Sequence, residues 1–432
     1  MSIGHPVARG PNRRAPFKAE ARPESSLAPG LSRYVGGVPE EPAKTTLLFL
    51  HMPKAGGTAL AGALGNRFAP EECVSIYYDD DPGDEELNAA RYVTGHVTMS
   101  IVERLERSPF SITVLRDPID RALSTYSYFR ELDEPRLKRP GMERNDAAVR
   151  FAKQHVLEDF IEVAPQLAEH YLGNLQSRML GGSRLDRNDE RLENALAGLH
   201  RCDFVGLAER QDESVGWLTR RLGWAKLTPL PLANVTRMRL RREQVSAGAM
   251  EALLDLTAVD RDLYAEAVKL YQGRVAAWSG DAEVEDRGAE IEDARLVSDL
   301  RFGEPIRGTG WHRRERLSRG PHFCWIGLRA SVDLADDRGA RSVVVEIEHV
   351  LDPTALGTLQ IKVNGEPLPH SLAESNGGVI ASAPLGERLR RDGAAVRVEL
   401  AVGQTTRPCD IDPGSSDNRE LAIAVSRIAL SR

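Results

Sequence analysis

An α/β domain built on a parallel sheet, followed by an all-β domain of sandwich type, is the architecture this sequence predicts. Three observations predict it. Short, wholly apolar runs end in polar or Gly-containing turns and pass into segments of helical period, as strand–helix units do when their strands are buried on both faces. That alternation stops near residue 280, where residues 281–293 hold seven acidic side chains and one arginine. Beyond it the period becomes two: Val343/Val345/Ile347, Leu359/Ile361/Val363, Val396/Val398/Leu400 and Leu421/Ile423/Val425 each mark one face of a strand.

In chain order, residues 1–43 contain seven prolines and five arginines among scattered Gly and Ser. Such a composition buries little apolar surface, so a disordered tail is expected. Thr46-Leu47-Leu48-Phe49-Leu50 suits a buried strand, and from Thr58 the positions Leu60, Ala63/Leu64 and Phe68 have helical spacing. Ser111-Ile112-Thr113-Val114-Leu115 and Cys202-Asp203-Phe204-Val205-Gly206-Leu207 are further strand candidates. Helices are expected over roughly 145–180, 186–200, 211–222 and 246–278. The limits that follow are 44–279 for the α/β domain, 280–297 for an acidic linker and 298–432 for the β domain. Asn364-Gly365, directly after Val363, is a hairpin dipeptide, since both central positions of the turn require positive φ.

Composition narrows the function classes. The 432 residues imply two or three domains at ~150 residues each. Hydrophobic residues at 41% and charged residues at 28% are those of a globular chain. A net charge of -7 gives no global attraction to nucleic acid or to an anionic membrane. No apolar run approaches the ~18 residues of a membrane span, and the N-terminus has no apolar signal core. Cys73, Cys202, Cys324 and Cys409 are scattered, without a C-x-x-C pair, which argues against a disulfide scaffold or a zinc knuckle. A reducing cytoplasm is the simplest compartment, and no metal is expected.

His51-Met52-Pro53-Lys54-Ala55-Gly56-Gly57-Thr58-Ala59-Leu60 is the most informative stretch. Two glycines let backbone approach an anion, and the helix that follows points free N–H groups and a positive dipole at it. Lys54 adds formal charge and Thr58 a hydroxyl donor. Lysine precedes the glycines, so this is not a Walker A loop, in which lysine follows the last glycine. The same residues would also serve a plain strand–helix turn.

A second candidate anion site is Leu115-Arg116-Asp117-Pro118-Ile119-Asp120-Arg121-Ala122-Leu123-Ser124-Thr125-Tyr126-Ser127-Tyr128-Phe129. Asp117 suits an N-cap and Pro118 the first helical position. Ile119, Leu123, Tyr126 and Phe129 share an apolar stripe, so the tyrosines read first as core. Arg121 has the spacing to pair with Asp117. Arg116, ending a buried strand, needs an anionic partner, either a structural carboxylate or a ligand phosphate.

A strand–P-K-x-G-G-T–helix loop followed by strand–R-D-P-x-x-R-x-x-S-x-Y–helix resembles the PAPS-dependent sulfotransferases, and among them the branch of the heparan sulfate 2-O-sulfotransferases and bacterial relatives. Tyr92-Val93-Thr94-Gly95-His96-Val97 is similar to that branch's Gly-His element. Phe204-Val205-Gly206-Leu207-Ala208-Glu209-Arg210-Gln211-Asp212-Glu213-Ser214 is similar to another of its stretches. Gln176-Ser177-Arg178 and Asn234-Val235-Thr236 fall where the family often has similar residues. The resemblance spans roughly residues 45–275. It implies a P-loop-like sulfotransferase fold and PAPS as donor, with PAP as product. It also implies that Lys54, Ala55, Gly56, Gly57, Thr58 and Ala59 surround the 5′-phosphosulfate, while Arg116 and Ser124 hold the 3′-phosphate. Ala55 stands where the family often has Thr, which removes one hydroxyl contact. The basic cluster Arg237, Arg239, Arg241 and Arg242 is expected as a solvated helix face or, alternatively, as a phosphate aid.

Sulfuryl transfer requires a base for the acceptor hydroxyl and fixed positive charge for the leaving phosphate. Lys54 and the loop N–H groups suit the second need. His96, matching the family histidine, suits the first, with His51 and Glu103 as weaker candidates. The β domain is similar to modules appended to bacterial glycosyltransferases, in which Trp311 and Trp325 either stack on sugars or fill the core. The expected acceptor is therefore a carbohydrate or glycolipid. The competing readings are a nucleotide-dependent kinase and a non-catalytic glycan-binding protein with a degenerate transferase domain.

Overall fold

The computed structural model describes residues 45–77, 81–132, 137, 142–182, 188–233, 238–279 and 291–432, the last without 318, 338, 376, 387–394, 413 and 416. The expected tail, the Asn234-Val235-Thr236 element, Arg237 and residues 280–290 of the acidic segment lie outside the described residues.

A five-stranded, wholly parallel sheet organises the first part of the chain, in the order β2 (Cys73–Ile76), β3 (Tyr92–Gly95), β1 (Leu47–Leu50), β4 (Phe110–Leu115), β5 (Phe204–Leu207). Four apolar residues in a row make β1 suited to the centre, where both faces are covered. Leu47 and Phe49 pack on one face with Leu60 and Leu64 of α1 (Gly57–Gly65) and with Val215 and Leu218 of α9 (Gln211–Arg221). Leu48 and Leu50 pack on the other with Leu180, Leu199 and Leu263. The chain builds to one side of β1 through β3 and then crosses to β4 on the other. This reversal leaves a crevice at the carboxyl ends of the strands.

The sequence reading missed β2 and β3, whose four-residue runs carry Ser75, Thr94 and Gly95 and look too polar to be buried. The stretch expected as helix from 145 to 180 is four short helices: α4 (Asp146–Gln154), α5 (Leu157–Val163), α6 (Pro165–Tyr171) and α7 (Leu175–Leu180). Pro165 and the left-handed Asn174 (φ 41°) break it, since proline lacks the N–H and a left-handed residue redirects the chain. The remaining helices are α8 (Asn188–Arg201), α10 (Ala247–Leu256) and α11 (Ala258–Ser279), with α2 (Asp84–Ala89) and α3 (Pro118–Glu131) earlier in the chain.

The second part is a separate antiparallel β region, which also holds β6 (Asp299–Arg301), β7 (Gly308–Trp311), β8 (Glu315–Arg316), β13 (Ser371–Ser375) and β14 (Gly378–Pro384). Its long strand β9 (His322–Leu334) pairs early with β16 (Ile423–Ser431) and later with β15 (Val396–Ala401). β10 (Ser342–Val350) lies on the far side of β16. Val332, Val345, Val398 and Val425 from these strands share one buried cluster. Asn364 (φ 52°) and Gly365 (φ 87°) turn the chain between β11 (Gln360–Val363) and β12 (Glu366–Leu368), as the dipeptide demanded. Trp311 is 2% exposed and donates its indole N–H to the Ser331 carbonyl (2.8 Å), so it is core and not a sugar platform.

The β region grips the C-terminal end of α1. Ile306 donates its N–H to the Asn66 carbonyl (2.7 Å), and Arg314 donates to the Phe68 carbonyl (3.1 Å). Nearby, Ile291 is buried and Asp293 pairs with Arg67 at 2.7 Å. No helix among the described residues is long and apolar enough to cross a membrane.

Candidate active site

The loop after β1 begins with His51, whose N–H bonds the Gly95 carbonyl (3.0 Å) and so ties the loop to the end of β3. Lys54 (φ 64°) and Gly56 (φ 76°) then adopt left-handed backbone, which tightens the turn. Buried Ala55 uses its N–H on the Met52 carbonyl (3.2 Å), so that donor serves the turn itself. Gly56 caps α1 without any side-chain acceptor. The first-turn N–H groups of Gly57, Thr58 and Ala59 are thereby left for something else. Thr58 is exposed and Ala59 half-buried. Gly57 is forced by packing: a β-carbon there would sit 2.6 Å from His51 Cδ2 and 3.0 Å from Phe49 Cζ.

Arg116 follows β4 and donates from Nη1 to the Lys54 carbonyl (2.7 Å), so the two predicted anion sites are directly joined. The Lys54 ammonium lies over the Tyr128 ring, 4.2 Å from its centroid. Burial first, then Arg116 and Arg239, hold Lys54 down at about 8, with Glu131 opposing them. Among the described residues neither Lys54 nor Arg116 has an ion-paired carboxylate. Ser124 is 5% exposed. It stands one helical turn from Tyr128 and one from Asp120, so it shares the α3 face over which Lys54 lies.

The helix start behaves as its sequence suggested, for Asp117 accepts the Asp120 N–H (3.1 Å) and Pro118 occupies the first turn. Arg121 does not. It is fully buried and reaches the Tyr171 (3.2 Å) and Leu172 carbonyls, not Asp117. Asp117 pairs instead with Arg242, and Asp120 with Arg242 (3.1 Å) and Arg239 (3.6 Å). Arg239 and Arg242 are exposed, as a solvated face would be, but they do not lie on an α-helix. They leave a loop and a single 3-10 turn (Arg242–Gln244) and converge on the start of α3.

His96 follows β3 and donates its N–H to the Ile76 carbonyl (3.0 Å). This approach is possible because residue 95 is glycine: a β-carbon there would lie 1.9 Å from that same oxygen. The His96 ring meets the Tyr77 ring edge-on (4.9 Å, 85°) and lies 5.1 Å from the His51 ring. Tyr77 Oη and His51 Nδ1 share a hydrogen bond of 3.2 Å. Burial holds His96 down at about 4; burial and then the neighbouring His96 hold His51 at about 3. Both imidazoles are neutral near pH 7, each with a ring lone pair. Glu103 is exposed on a 3-10 turn (Met99–Arg104).

Several supporting residues escaped the sequence reading. Gln176 clamps both backbone groups of Arg116 (2.9 Å each), and Asp260 in turn holds the N–H groups of Gln176 (3.0 Å) and Ser177 (2.7 Å). Glu209 accepts the Asp117 N–H (2.9 Å), and Gln211 donates to the Gly56 carbonyl (2.9 Å). Three of these stand in stretches already singled out, but only the fold assigns them work. Tyr77 directly follows β2, a strand that was not expected, so nothing pointed to it.

No family model matches the chain. Among curated proteins it is similar to human heparan-sulfate 6-O-sulfotransferase 3, at 24% identity over 288 residues. That match covers 54% of this chain and 58% of the relative, so the chain spans little more than half the length of the protein it matches. Among solved structures, a family GH115 4-O-methyl-α-glucuronidase covers 82% of this chain and 64% of its own, at 9% identity and a TM-score of 0.18. That value is too low to carry an argument. The chain is thus a distant relative of a sulfotransferase.

Proposed function

We propose that this protein is a sulfotransferase that moves the sulfuryl group of PAPS to a hydroxyl of a carbohydrate or glycoconjugate. The observation that carries the proposal is the joined pair of cationic loops. Lys54 and Arg116 meet through one hydrogen bond, lack paired carboxylates among the described residues, and have Arg239 close enough to depress Lys54 further. Crowded cations of this kind regain stability from a polyanion. PAPS, with phosphate at both its 5′ and 3′ ends, fits that demand. The distant relationship to a heparan-sulfate sulfotransferase supports the same reaction and a saccharide acceptor. We read the first part of the chain as a P-loop-like sulfotransferase domain and the second as a β-sandwich, without assigning a 2-O or 6-O position.

When bound, PAPS supplies an activated sulfuryl group, whose S–O bond to the 5′-phosphate breaks as the bond to the acceptor oxygen forms. Lys54, Ala55, Gly56, Gly57, Thr58 and Ala59 surround the 5′ end, and Arg116 with Ser124 holds the 3′-phosphate. Lys54, charged near neutral pH, stabilises the negative charge left on the departing phosphate. The first-turn N–H groups of α1 add fixed dipoles. His96 takes the acceptor proton on its ring nitrogen while Tyr77 and His51 confine the ring.

The test is transfer of radiolabelled sulfate from PAPS to a panel of glycans. Wild type is expected to transfer label without Mg2+. His96→Ala is expected to lose ~10²–10⁴-fold in rate while still binding PAP. Unchanged turnover in His96→Ala would remove His96 as base. Stabilisation by ATP-Mg2+ in preference to PAP would replace a sulfotransferase with a kinase.

A further inference from the structure

The β region carries an aromatic face that contains neither of the two cationic loops. Trp325 of β9 pairs with Ala424 of β16, and Ala424 pairs in turn with His349 of β10. Their chain neighbours Cys324, Ile326 and Val425 belong to the buried core, so strand alternation turns Trp325 and Ala424 to the opposite face. Alanine carries only a methyl group, and the rings on either side approach across it. The Trp325 and His349 centroids are 6.3 Å apart with planes 29° from parallel. Phe323 stands edge-on to both, 5.0 Å from His349 and 6.3 Å from Trp325. Phe323 is 3% exposed, whereas Trp325 and His349 are only half-buried. Phe323 is thus a floor, and the other two rings present a surface.

The fringe of this face is polar and acidic. Glu315 pairs across the strands with Phe323 and accepts from Arg419 Nη1 (2.6 Å). Arg419 also donates to both carboxylate oxygens of Asp417, from Nη2 to Oδ2 (2.6 Å) and from Nε to Oδ1 (3.0 Å). Glu348, next to His349 in the chain, accepts the Ser426 hydroxyl (2.6 Å) where the pairing of β10 with β16 shifts register. Among the described residues of this cluster two carboxylates, Glu315 and Asp417, share the single guanidinium of Arg419, which leaves an excess of negative charge. His312, 2% exposed and within electrostatic reach of Arg419 and Asp417, keeps a buried Nε2 without a hydrogen-bond partner among the described residues.

Flat π-surface flanked by hydrogen-bond acceptors matches the two sides of a sugar ring. The C–H face of a pyranose stacks on an aromatic ring, and its hydroxyls donate to carboxylates. The excess of negative charge disfavours a sulfated or otherwise anionic ligand. We infer that the face made by Trp325 and His349 binds a neutral pyranose unit of a glycan. Such a surface would retain unmodified acceptor and release sulfated product. It is separate from the PAPS crevice, and the inference stands whether or not the sulfuryl-transfer reading does.

The test uses the full chain with neutral hexasaccharides of glucose, galactose and N-acetylglucosamine, a sulfated hexasaccharide, and PAP in a parallel titration. Calorimetry and indole fluorescence are the readouts. At least one neutral hexasaccharide is expected to bind and to perturb indole emission, and the sulfated one is expected to bind more weakly. Trp325→Ala should weaken neutral binding by about tenfold or more, Trp325→Phe by less, and both should keep wild-type PAP affinity. Exposed Leu328 provides a control, since Leu328→Ala should change nothing. Absence of neutral-glycan binding with PAP binding intact would overturn this inference alone. So would equal affinity in wild type and Trp325→Ala, or preference for the sulfated hexasaccharide.

Discussion

Replacing Gly57 with alanine tests whether the loop is shaped by the imidazole beneath it. The new β-carbon would stand 2.6 Å from His51 Cδ2, 2.9 Å from Nε2 and 3.0 Å from Phe49 Cζ. Carbon atoms sit comfortably at ~3.5 Å, so the ring must retreat by roughly 1 Å. It has nowhere to go. His51 is 5% exposed, stacked on Phe49 at 5.5 Å, hydrogen-bonded to Tyr77 at 3.2 Å and faced by His96 at 5.1 Å. Overpacking of this kind costs ~1–3 kcal/mol. Because the loop moves with residue 57, PAP affinity should fall by about tenfold or more as well. Urea unfolding measures the first effect and calorimetric titration of PAP the second. The decisive comparison is the double variant Gly57→Ala/His51→Ala, in which the absent ring leaves room for the new methyl. Its loss of stability should fall short of the sum of the two single losses by ~1 kcal/mol or more. Additive losses, or a Gly57→Ala protein indistinguishable from wild type, would refute the reasoning.

Other outcomes follow from the same structure. Asp293→Ala strips the carboxylate from Arg67, which is 1% exposed in its side chain, and should cost ~3 kcal/mol or more in unfolding by urea; a loss within experimental error would show that the Ala225 and Lys226 carbonyls suffice for that guanidinium. Acid should destabilise the protein well above the carboxylate range. His51, His96 and His312 are held at about 3, about 4 and about 4, so between about pH 6.5 and about pH 4 the unfolded chain binds protons that the folded chain refuses. Stability is then full above the ordinary histidine value and falls as pH drops through that window, by up to ~1.4 kcal/mol per pH unit for each histidine. His312→Gln should flatten the slope by about a third, and a pH-independent stability across the window would contradict the burial of all three rings.

Local chemistry accounts for what was legible. The sequence-based expectation of strand, loop and helix at residues 46–68 rested on an apolar run, two adjacent glycines and helical spacing, which act within a few residues. The N-cap at Asp117 and the Asn364-Gly365 hairpin were readable for the same reason. β2 and β3 were not: β2 is an edge strand that leaves Ser75 exposed, and β3, buried between its neighbours, tolerates Thr94 only because a neighbour satisfies its hydroxyl. The Phe49 carbonyl does so for Thr94 at 3.2 Å. Arg121 misled for a related reason: helical spacing offered Asp117, while the Tyr171 and Leu172 carbonyls lie some fifty residues away in sequence.

The sequence by itself determined the alternation of buried strands and helices, the change to period two in the later part, and the residue types of an anion loop. Each is set by side-chain size, polarity and backbone freedom over short distances. Only the tertiary structure decided that Lys54 and Arg116 share one crevice, that Arg239 turns toward it, that Tyr77 and His51 box in His96, and that Trp311 is core while Trp325 is not. Those outcomes depend on which strands become neighbours. Strand order is settled by packing and by the pairing of backbone groups far apart along the chain.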